Sequence, residues 1–103
     1  MPKETTLTNS IIRYLRSQGC RAWKVHMSMY GDTGQPDVEA LCLVSYQEFA
    51  VPLYIEVKQP GKKPTPLQMK RIRDLNKVGA CAFWTDNLQD VKNVIIMIRR
   101  STR

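Results

Sequence analysis

The chain has 103 residues, enough for one domain built on a single modest core. Its 16 Lys and Arg against 9 Asp and Glu leave a net charge of +7, and on so small a domain that excess favours a polyanionic partner. Its apolar runs are too short to span a bilayer and its N-terminus lacks the apolar core of a signal peptide, so a cytoplasmic, non-membrane domain covering residues 1–103 is expected.

In chain order, Leu7, Ile11, Tyr14 and Leu15 recur at helical spacing, which predicts an amphipathic helix over 3–18 that stops at Gly19. Residues 21–27 alternate and predict a short strand with Trp23 and Val25 on one side. The segment 28–36 holds Gly31, Gly34 and Pro36 and reads as a loop. Two further strands are expected over 38–44 and 51–57, with Pro52 placing the start of the second at an edge or a bulge. After a polar loop over 59–66 comes a helix over 65–77, with Thr65 as N-cap, Pro66 in the first turn and Gly79 as terminator. Residues 80–85 predict a buried strand, and 87–98 a last helix, although Val94 to Ile98 is also strand-like. The order α-β-β-β-α-β-α predicts an α/β fold with a small mixed β-sheet flanked by helices.

The cysteines argue against two classes of site. Cys20, Cys42 and Cys81 are odd in number, far apart and accompanied by a single histidine. Neither a structural zinc site nor a disulfide framework is expected, and Cys42 and Cys81 read as small core residues of a reducing compartment.

Chemistry concentrates between Gly34 and Lys58. If the turn of the 38–57 hairpin is 45–48, its centre lies midway between Asp37 and Glu56, which then stand opposite each other on one sheet face. Lys58, two residues past Glu56, falls on that face too. Two carboxylates suit a hard divalent cation such as Mg²⁺, with the Val57 carbonyl as a further oxygen ligand. A cation held there activates water and offsets charge on a phosphodiester, and Lys58 adds a point charge for the attacking water or the transition state. Glu4 continues the inward stripe of the first helix and is a candidate metal ligand or support for one; a favourable charge in a first helical turn is the equal alternative. Gln68 shares the stripe of Ile72 and Leu75, positioned to orient water or to satisfy a backbone group. Glu39 shares the face of Asp37 as a second-choice ligand. His26 stands beside the Gly-rich loop, where a packed strand-end residue outweighs a catalytic one, and Trp23 and Trp84, which could stack on bases, fall in strand runs and read more readily as core.

The pattern Gly34-Gln35-Pro36-Asp37, Glu56-Val57-Lys58 and Pro64-Thr65-Pro66-Leu67-Gln68 resembles the VRR-NUC branch of the PD-(D/E)XK nuclease superfamily over nearly the whole chain. The resemblance implies a restriction-endonuclease-like core, with Asp37, Glu56 and Lys58 catalytic, Glu4 and Gln68 auxiliary, and Mg²⁺ or Mn²⁺ as cofactor. Stand-alone relatives of this size look like phage or bacterial proteins that cut branched DNA, four-way junctions included, as homodimers. Lys62, Lys63, Lys70, Arg71, Arg73 and Lys77 would then contact DNA phosphates, with Arg99, Arg100 and Arg103 as a basic tail. Two alternatives stand beside this: a noncatalytic DNA-binding module on the same fold, and a restriction-type nuclease acting on linear duplex.

Overall fold

In the computed structural model, residues 3–25, 35–43 and 50–101 are described. The predicted element order holds throughout: α1 (Lys3–Ser17), β1 (Arg21–Lys24), β2 (Val38–Leu43), β3 (Ala50–Val57), α2 (Pro66–Lys77), β4 (Cys81–Thr85) and α3 (Leu88–Ser101). Ile11 and Leu15 of α1 are fully buried, one turn apart, and the helix ends where Gly19 takes φ 85° and the Cys20 amide returns to the Leu15 carbonyl. In α2, the Thr65 hydroxyl accepts the Gln68 amide N–H while the Gln68 side chain accepts the Thr65 N–H, a reciprocal cap that fixes where the helix starts. Pro66 occupies the first helical turn, and Gly79 ends the element at φ 97°.

Helix wins over strand at 94–98. Val91, Ile95 and Ile98 are buried at spacings of four and three, whereas Ile96 and Met97 are 48% and 58% exposed, a pattern only a helical period produces. The side chain of Asn87 accepts the Asp90 N–H and starts the helix.

The four strands lie in the order β1-β2-β3-β4. The first three are antiparallel, and the α2 crossover makes β4 parallel to β3. One face, built by Ala22, Val38, Ala40, Cys42, Leu53, Ile55 and Val57, meets α1 and α3 in the core. The other face carries α2 on its β3–β4 side. The β2–β3 register runs from Val38 opposite Ile55 to Leu43 opposite Ala50. This is the register that a turn at 45–48 requires, although that turn itself lies outside the described residues.

Three expectations need correction. Cys20 and Cys42 are joined as a disulfide, with their Cα atoms 4.4 Å apart. The β1–β2 register, with Arg21 opposite Leu41, makes them cross-strand neighbours, a proximity that their 22-residue separation hides. Trp23 is not core: Ala22 supplies the buried side of β1, and Trp23 stands 39% exposed on the opposite face. Pro52, by contrast, is where the sequence reading sets it, at an edge, near the start of β3 and opposite Leu41. It is tolerated because β4 joins β3 only from Leu53 onward, leaving the strand with a single ladder at the proline. Arg99 is no loose tail, since it sits in the last turn of α3 and donates to both the backbone and side-chain oxygens of Gln18 at the end of α1. Arg103 lies outside the described residues.

Both sheet edges are closed by side chains. The Arg16 guanidinium donates twice to the Ala22 carbonyl on β1. The Asn76 amide pairs with both the N–H and the carbonyl of Ala82 on β4, as a neighbouring strand would.

Candidate active site

Asp37 follows the buried Pro36 and precedes β2 by one residue. Continuing the β2–β3 register by one step sets it opposite Glu56, as the sequence predicts. Its Oδ2 accepts the Val57 N–H at 2.8 Å, and its own carbonyl accepts the Val25 N–H at 2.8 Å, so three strands fix this residue at the sheet's rim.

Glu56 is 3% exposed. Its Oε2 accepts the Gln68 Nε2–H at 2.9 Å and lies 3.5 Å from the Lys58 ammonium. Its Oε1 is buried and has no hydrogen-bond partner. Burial first, and the neighbouring Asp37 charge second, push the Glu56 carboxyl up to about 8, with Lys58 pulling the other way. At neutral pH the pair therefore holds a proton where it lacks a cation.

The site's geometry explains Gln68 better than either sequence alternative does alone. Its side-chain oxygen satisfies the Thr65 backbone and its side-chain nitrogen holds Glu56, so one amide caps α2 and orients a carboxylate. Lys58 is positioned through its backbone: its N–H donates to the Thr85 carbonyl. Thr85, 1% exposed, is anchored in turn, its hydroxyl 2.7 Å from both the Asp90 carboxylate and the Asn87 carbonyl and accepting the Asn87 N–H. Sequence reasoning missed Thr85 and the Val57 N–H. The Thr85-Asp86-Asn87 run before a helix signals the first, and nothing in the residue types signals the second.

Other candidates are placed differently. Glu4 lies in the first turn of α1, where its carbonyl accepts the Thr8 hydroxyl. Among the described residues no three His, Cys, Asp or Glu side chains come together to hold a metal, so neither Glu4 nor Glu39 makes a third carboxylate beside Asp37 and Glu56. His26 and the glycines at 31 and 34 lie outside the described residues. Lys62, Lys63, Arg73 and Lys77 are exposed, whereas Lys70 is tied to Asp74 at 2.8 Å. Arg71 is half-buried and lines a pocket of about 220 Å³ with Gln35, Pro36, Asp74 and Leu75. No described helix is long and apolar enough to cross a membrane.

The donor set fits a hard divalent cation. Two carboxylates converge, and the Glu56 Oε1 is buried without a hydrogen-bond partner, on a carboxyl that burial and the neighbouring Asp37 charge hold in its protonated form.

No protein-family model and no curated protein matches this sequence. Solved structures do. One, named "VRR_NUC domain", is 24% identical, covering 92% of this chain and 96% of its own, at a TM-score of 0.72. A second, "VRR_NUC domain protein", is 20% identical at a TM-score of 0.70, covering 97% of this chain and 90% of its own. Nearly the whole length of this chain, with its mixed four-stranded sheet and three helices, therefore shares the fold of these VRR_NUC domain structures.

Proposed function

We propose that this chain is a Mg²⁺- or Mn²⁺-dependent deoxyribonuclease that cleaves branched DNA, four-way junctions included, as a homodimer. The observation that carries the reading is the bare Oε1 of buried Glu56, on a carboxyl set beside Asp37 and braced by Lys58 and Gln68. A buried polar atom without a partner is unfavourable for folding, and its persistence at a rim between carboxylate and ammonium speaks for a ligand.

Asp37 and Glu56 would hold the cation, with the Val57 carbonyl as a further oxygen and Glu4 acting only through water. When bound, the cation supplies the positive charge that acidifies water and polarises the phosphoryl group. Glu56 releases its proton as the cation arrives. Gln68 keeps Glu56 Oε2 engaged, leaving Oε1 as the open donor. Lys58, 15% exposed at the side chain, orients the nucleophile and offsets charge on the phosphoryl oxygens. Lys62, Lys63, Arg73 and Lys77 contact flanking phosphates, with Arg71 at the pocket beside Pro36 and Lys70 weakened by Asp74.

One site per chain cuts one strand, so paired cuts across a junction need two copies. Ile96 and Met97 on the exposed side of α3 offer apolar surface for that association. The experiment is cleavage of labelled four-way junction, flap, single strand and linear duplex, with and without Mn²⁺, by wild type and Asp37→Ala. Metal-dependent cutting of branched substrates that the variant lacks is the expected result. Full activity of purified Asp37→Ala would overturn the reading, and a monomer in scattering that still cuts both strands would remove the dimer.

A further inference from the structure

The β1–β2 half of the sheet face that carries Asp37 and Glu56 has a second row of chemistry that the catalytic reading does not use. Trp23 stands opposite Glu39, and Glu39 opposite Tyr54, so the three form one row across β1, β2 and β3. Directly opposed residues share a face, and the alternation along β2 puts that row on the face of Asp37. Diagonal neighbours on such a sheet lie about 7–8 Å apart, within reach of an aromatic side chain. Trp23 is such a neighbour of Asp37, since it opposes the residue two further along.

The row is ill-suited to phosphate, because it has a carboxylate and no cation. It is well suited to a nucleobase. Trp23 is 39% exposed and offers a flat π-surface, Glu39 accepts hydrogen bonds only, and Tyr54 adds a phenol. Beyond it, along the outer edge of β1, runs a groove of about 420 Å³ lined by Arg16, Arg21 and Trp23, whose guanidinium groups suit the phosphates of a strand entering there.

We propose that Trp23, Glu39 and Tyr54 form a subsite for one unpaired base of a DNA strand next to the cut phosphate, with the base stacked on Trp23 and its exocyclic amine donating to Glu39. A carboxylate accepts from the N4 amine of cytosine, whereas thymine sets the O4 carbonyl at that position and keeps only its single N3–H as donor, so the subsite prefers cytosine to thymine. Single-stranded arms therefore gain an anchor that paired duplex cannot use. The proposal rests on the nuclease reading for the neighbouring cut but is tested without cleavage, so the two can fail separately.

The test is anisotropy of labelled oligodeoxycytidine, oligothymidine and blunt duplex binding to the protein in EDTA. Wild type should bind the cytidine strand more tightly than the thymidine strand by about fivefold or more. Trp23→Leu, which keeps apolar bulk but has no π-face, should lose about tenfold on the cytidine strand, while Trp23→Phe stays near wild type and duplex affinity is unchanged in both. Glu39→Gln, able to donate as well as accept, should abolish the preference between the two strands while keeping the stacking contribution. Equal single-strand binding by Trp23→Leu and wild type would overturn the proposal. So would a matching loss on duplex. A Trp23→Leu protein that changes from dimer to monomer with its oligonucleotide affinity intact would instead make this face a contact between copies of the chain, and would also overturn it.

Discussion

Thr85 and Glu56 lie near the ends of neighbouring parallel strands, and both are almost entirely buried, at 1% and 3% exposure. Their surroundings differ. The Thr85 hydroxyl sits among Asp90, the Asn87 carbonyl and the Asn87 N–H, with donor and acceptor capacity both used. Glu56 has one oxygen engaged by Gln68 and Lys58 and the other bare. A satisfied polar knot inside a fold stabilises it and can be left alone by solvent and ligands. A buried carboxyl with an oxygen left over keeps its proton in the isolated fold, and ionising it costs free energy that a cation can offset. The contrast is the physical ground for reading Thr85 as a structural polar residue and for proposing Glu56 as a functional one.

Substitutions at the two positions should break the comparison in opposite ways. The largest effect is expected from Asp37→Ala, which removes half the carboxylate pair. Metal-dependent cleavage of a branched substrate in single turnover should fall at least about a thousandfold. Its circular dichroism should stay that of wild type.

Glu56 should reveal itself next through pH. Its carboxyl titrates near 8 in the folded chain against 4.5 for the ordinary group. Between those values the folded state keeps a proton that the unfolded state has released. Stability in EDTA should therefore decline as pH rises through that window and level off above about 8. The total decline is on the order of a few kcal/mol. Glu56→Gln, neutral throughout, should flatten the profile and be more stable than wild type at pH 9. Urea midpoints at pH 5, 7 and 9 for the two proteins check this, and parallel profiles would refute it.

Thr85→Val tests the opposite pole. It leaves Asp90 and the Asn87 N–H without their hydroxyl, which should lower stability by about 1–3 kcal/mol at every pH, with or without metal. Any loss of activity should follow the unfolded fraction alone.

The smallest effect, and the finest discrimination, comes from Gln68→Glu. The capping box accepts Glu as well as Gln, so α2 should keep its start and the chain its melting temperature within about a degree or two. The amide donor to Glu56 becomes a like charge, so affinity for divalent cation should change although the helix does not. Unchanged cation affinity would mean that Gln68 acts only as a cap.

What the sequence disclosed follows from local rules. Caps at Thr65, Pro66, Gly19 and Gly79 depend on residues within one turn, and all four ended or began elements as expected. The pairing of Asp37 with Glu56 was legible because a short hairpin fixes register by symmetry about its turn. The β1–β2 connection, by contrast, spans residues 25–37, too many for such symmetry to set a register, so nothing in the sequence sets Cys20 beside Cys42. Trp23 was misread for a related reason. Four residues of an edge strand give too little alternation to tell a covered face from an open one, and aromatic character favoured the wrong choice. Arg99 reaches Gln18 across 81 residues, a contact that exists only once α1 and α3 lie together. The strand-like run at 94–98 yielded to helix because burial at 91, 95 and 98 required it.

Calorimetric titration of Mn²⁺ into the wild-type chain and into Glu56→Gln at pH 7.5, in the absence of DNA, reaches the central claim most directly. Wild type should take up cation with saturable heat and gain thermal stability in step with occupancy. Glu56→Gln should show neither. Saturable binding of equal strength in both proteins, or none in the wild type at millimolar metal, would contradict the assignment of the Asp37–Glu56 pair as a cation site.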